Sequence, residues 1–140
     1  MKVDLAKFIA DNVFLIGVAV VSGAMLLWPL VRRGTAGPSV SPLEATQLIN
    51  RQDALVLDIR SAEEFQKGHI LNARNVPAAQ LEPRLADLEK FRQKPVIVAC
   101  ESGSRSGSAA ALLRKHGFAQ AASLAGGVGA WQQAGLPMEK

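Results

Sequence analysis

Residues that support disulfide and metal chemistry are scarce in this sequence. Its 140 residues include one cysteine, Cys100, which excludes an intrachain disulfide and a cysteine-rich zinc site. The two histidines, His69 and His116, lie far apart without the spacing of metal ligands, so we expect neither a metal ion nor another cofactor. The net charge of +4 is scattered, and no cluster of lysine and arginine with interleaved aromatic residues indicates a nucleic-acid partner.

One long run of apolar residues stands near the start of the sequence. Residues 13–31 carry no charged side chain, and as an α-helix these 19 residues would extend about 28 Å, close to the bilayer's hydrocarbon thickness of about 30 Å. Trp28 near one end suits the membrane interface. We therefore expect a single transmembrane helix in the lipid bilayer at 13–31, between an N-terminal tail (1–12) and a linker (32–40).

Two other interpretations of this apolar run stay open. A cleaved signal peptide would use Ser22 and Ala24 as the small residues of its cleavage site, although cleavage would leave an exposed apolar end. A buried core helix fits less well, because the run is apolar on every face. A permanent anchor is the interpretation that the run favours.

The basic residues beside the run bear on its orientation. Lys2 and Lys7 precede it, whereas Arg32 and Arg33 follow it, with Arg51 further on. This count leans slightly towards a cytoplasmic position for the C-terminal part. A solitary thiol of low pKa also suits a reducing compartment. We therefore expect a single-pass protein whose C-terminal domain lies in the cytoplasm.

The remaining residues, 41–140, alternate between short apolar runs and helical patterns. The alternation predicts an α/β domain with a parallel sheet flanked by helices on both faces. The predicted strands are 54–59, 73–76, 95–99 and 121–124, and the predicted helices are 42–50, 61–65, 104–116 and 128–133, with helical spacing also at Leu81, Leu85, Leu88 and Phe91.

The stretch from Val96 to Ser106 is the centre of the functional prediction. A strand-length apolar run ends on Cys100, small polar residues and Arg105 follow, and an alanine-rich helical run begins. Unpaired backbone N–H groups at a helix start favour an anion, which here would be the thiolate, assisted by the arginine. Only the thiolate is a competent nucleophile, so the pattern predicts a reactive cysteine. The alternative is a small buried apolar cysteine.

Other polar and aromatic residues receive structural predictions. We expect Asp58 to accept hydrogen bonds from loop amides, although a direct influence on the site stays open, and Arg60 to pair with a carboxylate. His69 is expected to pack or cap locally, and Trp131 to lie in the core. Ser102, Ser104 and Ser106 are expected to line the loop or cap the following helix.

Three stretches of the sequence together resemble a known family. They are Asp58-Ile59-Arg60 with Glu63-Glu64-Phe65, Gly68-His69-Ile70 and Asn75-Val76-Pro77; then Cys100-Glu101-Ser102-Gly103-Ser104-Arg105-Ser106; and finally Gly126-Gly127, Ala130-Trp131 and Gly135-Leu136-Pro137. These stretches resemble the signatures and the active-site loop of rhodanese domains. With the apolar run added, the chain is similar to bacterial single-domain rhodaneses that carry one N-terminal transmembrane helix, which implies the bacterial inner membrane.

The resemblance implies the chemistry and the roles of the site residues. Cys100 would take a sulfane sulfur from a small-molecule or protein donor, become a persulfide, and pass the sulfur to a thiophilic acceptor. Arg105 would assist it. Glu101, Ser102, Gly103, Ser104 and Ser106 would bind substrate, and Asp58 and Arg60 would support the site. The loop from Cys100 through Arg105 counts six residues, as in sulfur-transferring members, whereas related phosphatases and arsenate reductases have seven.

The sequence leaves two points open: which sulfur donor the domain uses, and whether the domain acts as an enzyme. Family members specialised for thiosulfate tend to have basic residues just after the cysteine, and this chain has Glu101, whose carboxylate would repel a dianion. A thiol-borne persulfide is therefore at least as good a candidate for the donor. A membrane-tethered docking or sulfur-relay module with little independent catalysis is the alternative to an enzyme.

Overall fold

The computed structural model describes residues 4–35 and 37–140, which fall into two compact units divided after Thr35. The first unit contains helix α1 (Leu5–Asp11) and helix α2 (Val13–Thr35). Within α2, the segment Val13–Val31 is long and apolar enough to cross a membrane, and none of its side chains is buried. Helix α1 lies in the segment that the sequence suggested only as a tail.

The second unit is built from short strands and helices that alternate along the chain. Its elements are β1 (Ser39–Val40), α3 (Pro42–Gln52), β2 (Leu55–Asp58), α4 (Ala62–Lys67), β3 (His69–Ile70), β4 (Arg74–Asn75), two 3₁₀ helices (Ala78–Gln80 and Leu85–Phe91), β5 (Val96–Ala99), α5 (Ser106–Lys115), β6 (Ala121–Leu124), α6 (Gly127–Gln133) and β7 (Met138–Glu139).

Five of these strands form a parallel sheet in the order β1-β6-β5-β2-β4. The strands β5 and β2 lie near its centre, and their register pairs Asp58 with Ala99, the last residue of each strand. The two chains therefore leave the sheet side by side at its carboxyl edge, where open α/β sheets place their ligands.

Both faces of the sheet are covered, as the alternation predicted. Along β2 and β5, alternate residues face opposite sides: Leu57 and Val98 pack with helix α5, whereas Val56 and Ile97 pack with α3 and α6. Burial on both faces explains why these strands read as continuous apolar runs. The α/β prediction with helices on both faces is confirmed.

Helix boundaries follow local capping chemistry. Ser41 and Glu44 form a reciprocal capping box at the start of α3, and the Ser61 hydroxyl accepts from the backbone N–H of Glu64 at the start of α4. Gly117, with φ of +97°, follows the end of α5, as its sequence position predicted.

The structure departs from the sequence predictions at several boundaries. Strand β1 occupies the end of the predicted linker 32–40, and the predicted helix 104–116 begins only at Ser106, because the two residues before it complete the tight loop. The helical spacing around Leu88 belongs to a 3₁₀ helix. A second small sheet pairs β3 with β7 in antiparallel fashion, an element that the sequence did not predict.

Candidate active site

Cys100 lies at the end of the central strand β5, and the loop that follows it leads into helix α5. The residue is 1% exposed. The backbone N–H of Gly103 donates a hydrogen bond to Sγ at 3.0 Å. Further donors to the sulfur are the backbone N–H groups of Arg105 and Ser106 and the Ser106 hydroxyl. The loop therefore turns its amides inward around one sulfur atom.

These donors change the acidity of the thiol. Burial is the largest single influence and raises the pKa of Cys100, because it penalises the charged form. The hydrogen bonds from Ser106, Arg105 and Gly103 stabilise the anion and outweigh it, so the pKa lies below its ordinary value. The sequence-based expectation of a thiol with lowered pKa agrees with this environment.

Ser106 connects the sulfur to the loop backbone. It is fully buried, and its hydroxyl also donates to the carbonyl oxygen of Gly103 at 3.2 Å. A hydroxyl has one hydrogen, so it serves either this carbonyl or the sulfur at a given moment. Gly103 itself has φ of +88°, and a Cβ there would lie 3.1 Å from the backbone nitrogen of Gly126, so the loop requires glycine.

The start of helix α6 holds the peptide of Cys100 from behind. The backbone N–H of Val128 donates to the carbonyl oxygen of Cys100 at 2.8 Å, and that of Gly129 donates to Glu101 at 3.2 Å. Gly127 has φ of +63°, and a Cβ there would overlap the Cys100 carbonyl and approach that of Glu101 to 2.7 Å. The sequence marked this glycine pair only as a turn; the doubled glycine before a helix was the signal for close backbone approach.

A charged triad borders the loop on one side. The Arg60 guanidinium binds Asp58 at 2.8 Å, Glu101 at 3.2 Å and the carbonyl oxygen of Gly68 at 2.8 Å. Burial lowers the pKa of Arg60, but the two carboxylates raise it by more, so the net shift is upwards. The predicted pairing of Arg60 with a carboxylate is confirmed. As expected, Asp58 accepts a hydrogen bond from a loop amide, the backbone N–H of Arg60, and it also accepts from the Arg60 side chain.

The other predicted loop residues lie at the rim. Ser102 and Ser104 are exposed, with their hydroxyl oxygens 3.3 Å apart. Arg105 gives the sulfur its backbone N–H, while its exposed side chain lines an apolar recess with Leu81 and Leu112. Among the described residues its guanidinium makes no ion pair or hydrogen bond, and only its backbone N–H acts on the acidity of Cys100.

A polar cleft of about 350 Å³ opens beside the triad. Its walls come from the loop after β2, helix α4, the Cys100 loop, helix α6 and strand β7. The lining residues include Arg60, Glu64, Lys67, Glu101, Gln132 and Met138. No local sequence pattern indicated this cleft, because its residues come from five separate segments. Within residues 4–35 and 37–140, no group of three or more potential metal ligands is found.

The sequence predicted structural roles for His69 and Trp131, and the structure agrees. His69 stacks on Phe65 with ring centroids 3.7 Å apart, and its Nδ1 lies 2.8 Å from the Phe65 carbonyl oxygen. Trp131 is buried, and its indole N–H donates to the Pro137 carbonyl oxygen at 3.0 Å. Both predictions of local packing are confirmed.

Comparison with known proteins gives a consistent result. The sequence model of the rhodanese-like domain matches residues 41–134. The uncharacterised protein YibN of Escherichia coli is 42% identical over 96 residues, which are 68% of this chain and 67% of that protein. A sulfurtransferase of Allochromatium vinosum is 35% identical over 92 residues, 66% of this chain and 84% of that protein. The crystal structure of a rhodanese-related protein from Thermoplasma volcanium superimposes with a TM-score of 0.66 at 29% identity, covering 73% of this chain and 97% of that one.

Proposed function

This chain belongs to the rhodanese-like domain family, and from that premise we propose that it is a sulfurtransferase that carries sulfur on Cys100. The observation that supports the proposal is the ring of hydrogen-bond donors from Gly103, Arg105 and Ser106 around a thiol of lowered pKa. A thiolate at this position is both a nucleophile and a carrier for one further sulfur atom.

The proposed reaction has two steps. The Cys100 thiolate attacks the sulfane sulfur of the donor, a new bond forms between Sγ and that sulfur, and the bond to the rest of the donor breaks, releasing its anion. A thiophilic acceptor then attacks the outer sulfur of the persulfide and restores the thiolate. The amides that hold the thiolate also suit the persulfide anion, because they converge on the space where negative charge resides in both states.

Roles follow for the other loop residues. Arg105 supplies an amide to the sulfur and a positive charge at the rim. The exposed Glu101, Ser102 and Ser104 meet the incoming substrate, while Gly103 and the buried Ser106 keep the amides turned inward. Asp58 and Arg60 support the loop from the neighbouring strand.

The charge beside the loop favours a thiol-borne persulfide over thiosulfate as the donor. Glu101 is exposed and directly follows Cys100, and its carboxylate repels each negative charge of a dianion by about 1 kcal/mol at 4 Å in water. Its ion pair with Arg60 reduces this repulsion but does not reverse it, because Asp58 already neutralises that arginine. A higher kcat/KM for thiosulfate than for persulfide donors would contradict this preference.

The test of the proposal is intact-mass measurement of the full-length chain after incubation with a sulfur donor. We expect a gain of one sulfur atom that cyanide or a thiol removes, and no gain in Cys100→Ser. The same variant separates catalysis from a docking or sulfur-relay role, since a docking module would keep its cellular function without the thiol. Hydrolysis of an aryl phosphate that depends on Cys100 would instead favour the phosphatase relatives.

We also propose that Val13–Val31 anchors the domain in the bacterial inner membrane, with the C-terminal domain in the cytoplasm. Sedimentation with membranes after carbonate washing would support the anchor, and a mature N-terminus after residue 24 would show a cleaved signal peptide instead. Orientation can be tested with Gln133→Cys in a Cys100→Ser background, because the exposed new thiol should resist a membrane-impermeant maleimide until the inner membrane is opened.

A further inference from the structure

The polar cleft beside the Cys100 loop has a charge pattern that the proposed reaction alone does not explain. Three carboxylates belong to it or stand directly behind it, those of Asp58, Glu64 and Glu101, against two cations, Arg60 and Lys67. The cleft therefore carries an excess of one negative charge. Such a site is unfavourable for an inorganic dianion.

The two cations differ in what they can offer an occupant. Arg60 directs its guanidinium to Asp58, Glu101 and the Gly68 carbonyl oxygen. Lys67 makes no ion pair among the described residues and is exposed on the wall of the cleft. An occupant thus meets one ammonium group, from Lys67, and two carboxylates that each have one oxygen engaged already. The Ser61 hydroxyl donates to Glu64 Oε1, and Arg60 donates to Glu101 Oε2.

The position of the cleft links it to the nucleophile. Glu101 is the residue after Cys100 and forms part of the wall, whereas Val128, another wall residue, supports the loop from behind. A donor whose outer sulfur reaches Cys100 would therefore extend past Glu101 to place the rest of its body in this cleft. The apolar atoms of Val128 and Met138 provide contact for a short aliphatic chain.

We propose that this cleft binds the amino-acid end of a zwitterionic α-amino thiol, the carrier of the persulfide. The ammonium group of the carrier lies against Glu64 and Glu101, and its carboxylate lies against Lys67. This inference rests on the proposed function. In the step it serves, the Cys100 thiolate attacks the outer sulfur of R–S–SH, the S–S bond of the donor breaks, the proton stays on the transferred sulfur, and the thiolate R–S⁻ leaves the cleft.

Three persulfide donors that differ by one charged group test the recognition in the full-length chain in detergent. They are cysteine persulfide, 3-mercaptopropionate persulfide, which lacks the ammonium group, and cysteamine persulfide, which lacks the carboxylate. We expect wild-type kcat/KM to fall at least about three-fold when either group is missing, the range of an exposed ion pair. Equal kcat/KM for all three donors would overturn the proposal.

Variants assign each charge to its partner. Glu64→Gln should lower kcat/KM for cysteine persulfide about three-fold but should not lower kcat/KM for 3-mercaptopropionate persulfide. In the same way, Lys67→Gln should lower kcat/KM for cysteine persulfide but not for cysteamine persulfide. Glu64→Gln should also raise kcat/KM for thiosulfate, a change that damage to the fold would not produce. The matched controls are Glu63→Gln, the exposed neighbour on the same helix, and Lys115→Gln on helix α5.

The outcomes separate the two proposals. If Glu64→Gln and Glu63→Gln behave alike with every donor, the cleft is not the binding site, although sulfur loading of Cys100 still supports the sulfurtransferase. If no donor, thiosulfate included, adds sulfur to Cys100, the sulfurtransferase proposal fails and this inference fails with it.

Discussion

The carbonyl oxygen of Cys100 accepts a hydrogen bond of 2.8 Å from the backbone N–H of Val128. This bond joins Cys100 to the first turn of helix α6, and the next N–H along that helix holds the Glu101 carbonyl oxygen. The side of the loop that faces the sulfur is thus formed by the loop's own amides. The opposite side is held by a helix about thirty residues further along the chain. Such support holds the amide donors of the loop in place around the sulfur, the arrangement that the proposed reaction requires.

The close approach at Gly127 gives the first prediction. In Gly127→Ala the new Cβ would meet the carbonyl oxygens of Cys100 and Glu101, and its φ of +63° is unfavourable for alanine. We expect a loss of about 3 kcal/mol in the free energy of unfolding, measured by urea titration, from strain and overpacking together. The control is Gly135→Ala, whose φ is +70° but whose Cβ would have open space, with an expected loss of about 1 kcal/mol. Equal losses would mean that contact with the Cys100 peptide does not matter.

The acidity of the thiol gives the second prediction. In Ser106→Ala the sulfur loses its hydroxyl donor, so the pKa of Cys100 should rise towards its ordinary value. The midpoint of the pH dependence of iodoacetamide alkylation should therefore move to higher pH. Ser108→Ala, an exposed position on the same helix, should leave that midpoint where it is in the wild type. An unchanged midpoint in Ser106→Ala would contradict the role of the hydroxyl.

The same shift has a consequence for stability. Because the pKa of Cys100 is lower in the folded chain than in the unfolded one, the folded state binds fewer protons between the two values. The stabilising contribution is complete above the unfolded pKa, about 8.5, and is lost as the pH falls through the folded pKa. In that window the free energy of unfolding should rise with pH more steeply in the wild type than in Cys100→Ser.

The buried ion pair between Asp58 and Arg60 gives the third prediction. Both side chains are at most 5% exposed, so Arg60→Ala leaves a buried carboxylate without its cation. We expect a loss of about 3–5 kcal/mol in the free energy of unfolding. Arg84→Ala removes a comparable but exposed pair with Asp87 and should cost at most about 1 kcal/mol. A small effect in Arg60→Ala would show that water reaches Asp58.

The charge of Glu101 gives the fourth prediction. Glu101→Gln removes a carboxylate from the mouth of the loop, so kcat/KM for thiosulfate should rise about five-fold, the equivalent of about 1 kcal/mol. For a persulfide whose carrier thiol has no charged group, kcat/KM should change less. Glu82→Gln, an exposed position outside the loop, is the control. A fall in the thiosulfate rate would indicate that Glu101 serves the loop mainly through its ion pair with Arg60.

The parts of the fold that the sequence predicted are those with enough residues to show a pattern. The strands β2, β5 and β6 are apolar runs buried on both faces, and β6 was predicted at its observed bounds, Ala121–Leu124. Strands β1, β3 and β7 have two residues each, too few for any periodicity. The spacing around Leu88 was helical, but it could not distinguish a 3₁₀ helix from an α-helix.

In the candidate site, too, the sequence predicted the features that are local in the chain and missed the contacts between distant residues. The loop from Cys100 to Ser106 could be predicted because its chemistry is local in sequence, and the structure brings the amides of Gly103, Arg105 and Ser106 to the sulfur. The contact between Arg60 and Glu101 joins residues 41 positions apart, and no local pattern predicts which carboxylate an arginine will find. The back support from Val128 is likewise a product of tertiary packing.

The register of the two central strands has a consequence for how this domain can diversify. Asp58 and Ala99 end their strands as partners, and Arg60 and Glu101, each two residues further on, meet in an ion pair. The frame of the loop is thus set by the sheet and by residues at its entrance. The exposed side chains at positions 102, 104 and 105 lie outside this frame, so we expect replacements there to leave the scaffold intact while they change the surface that faces a substrate.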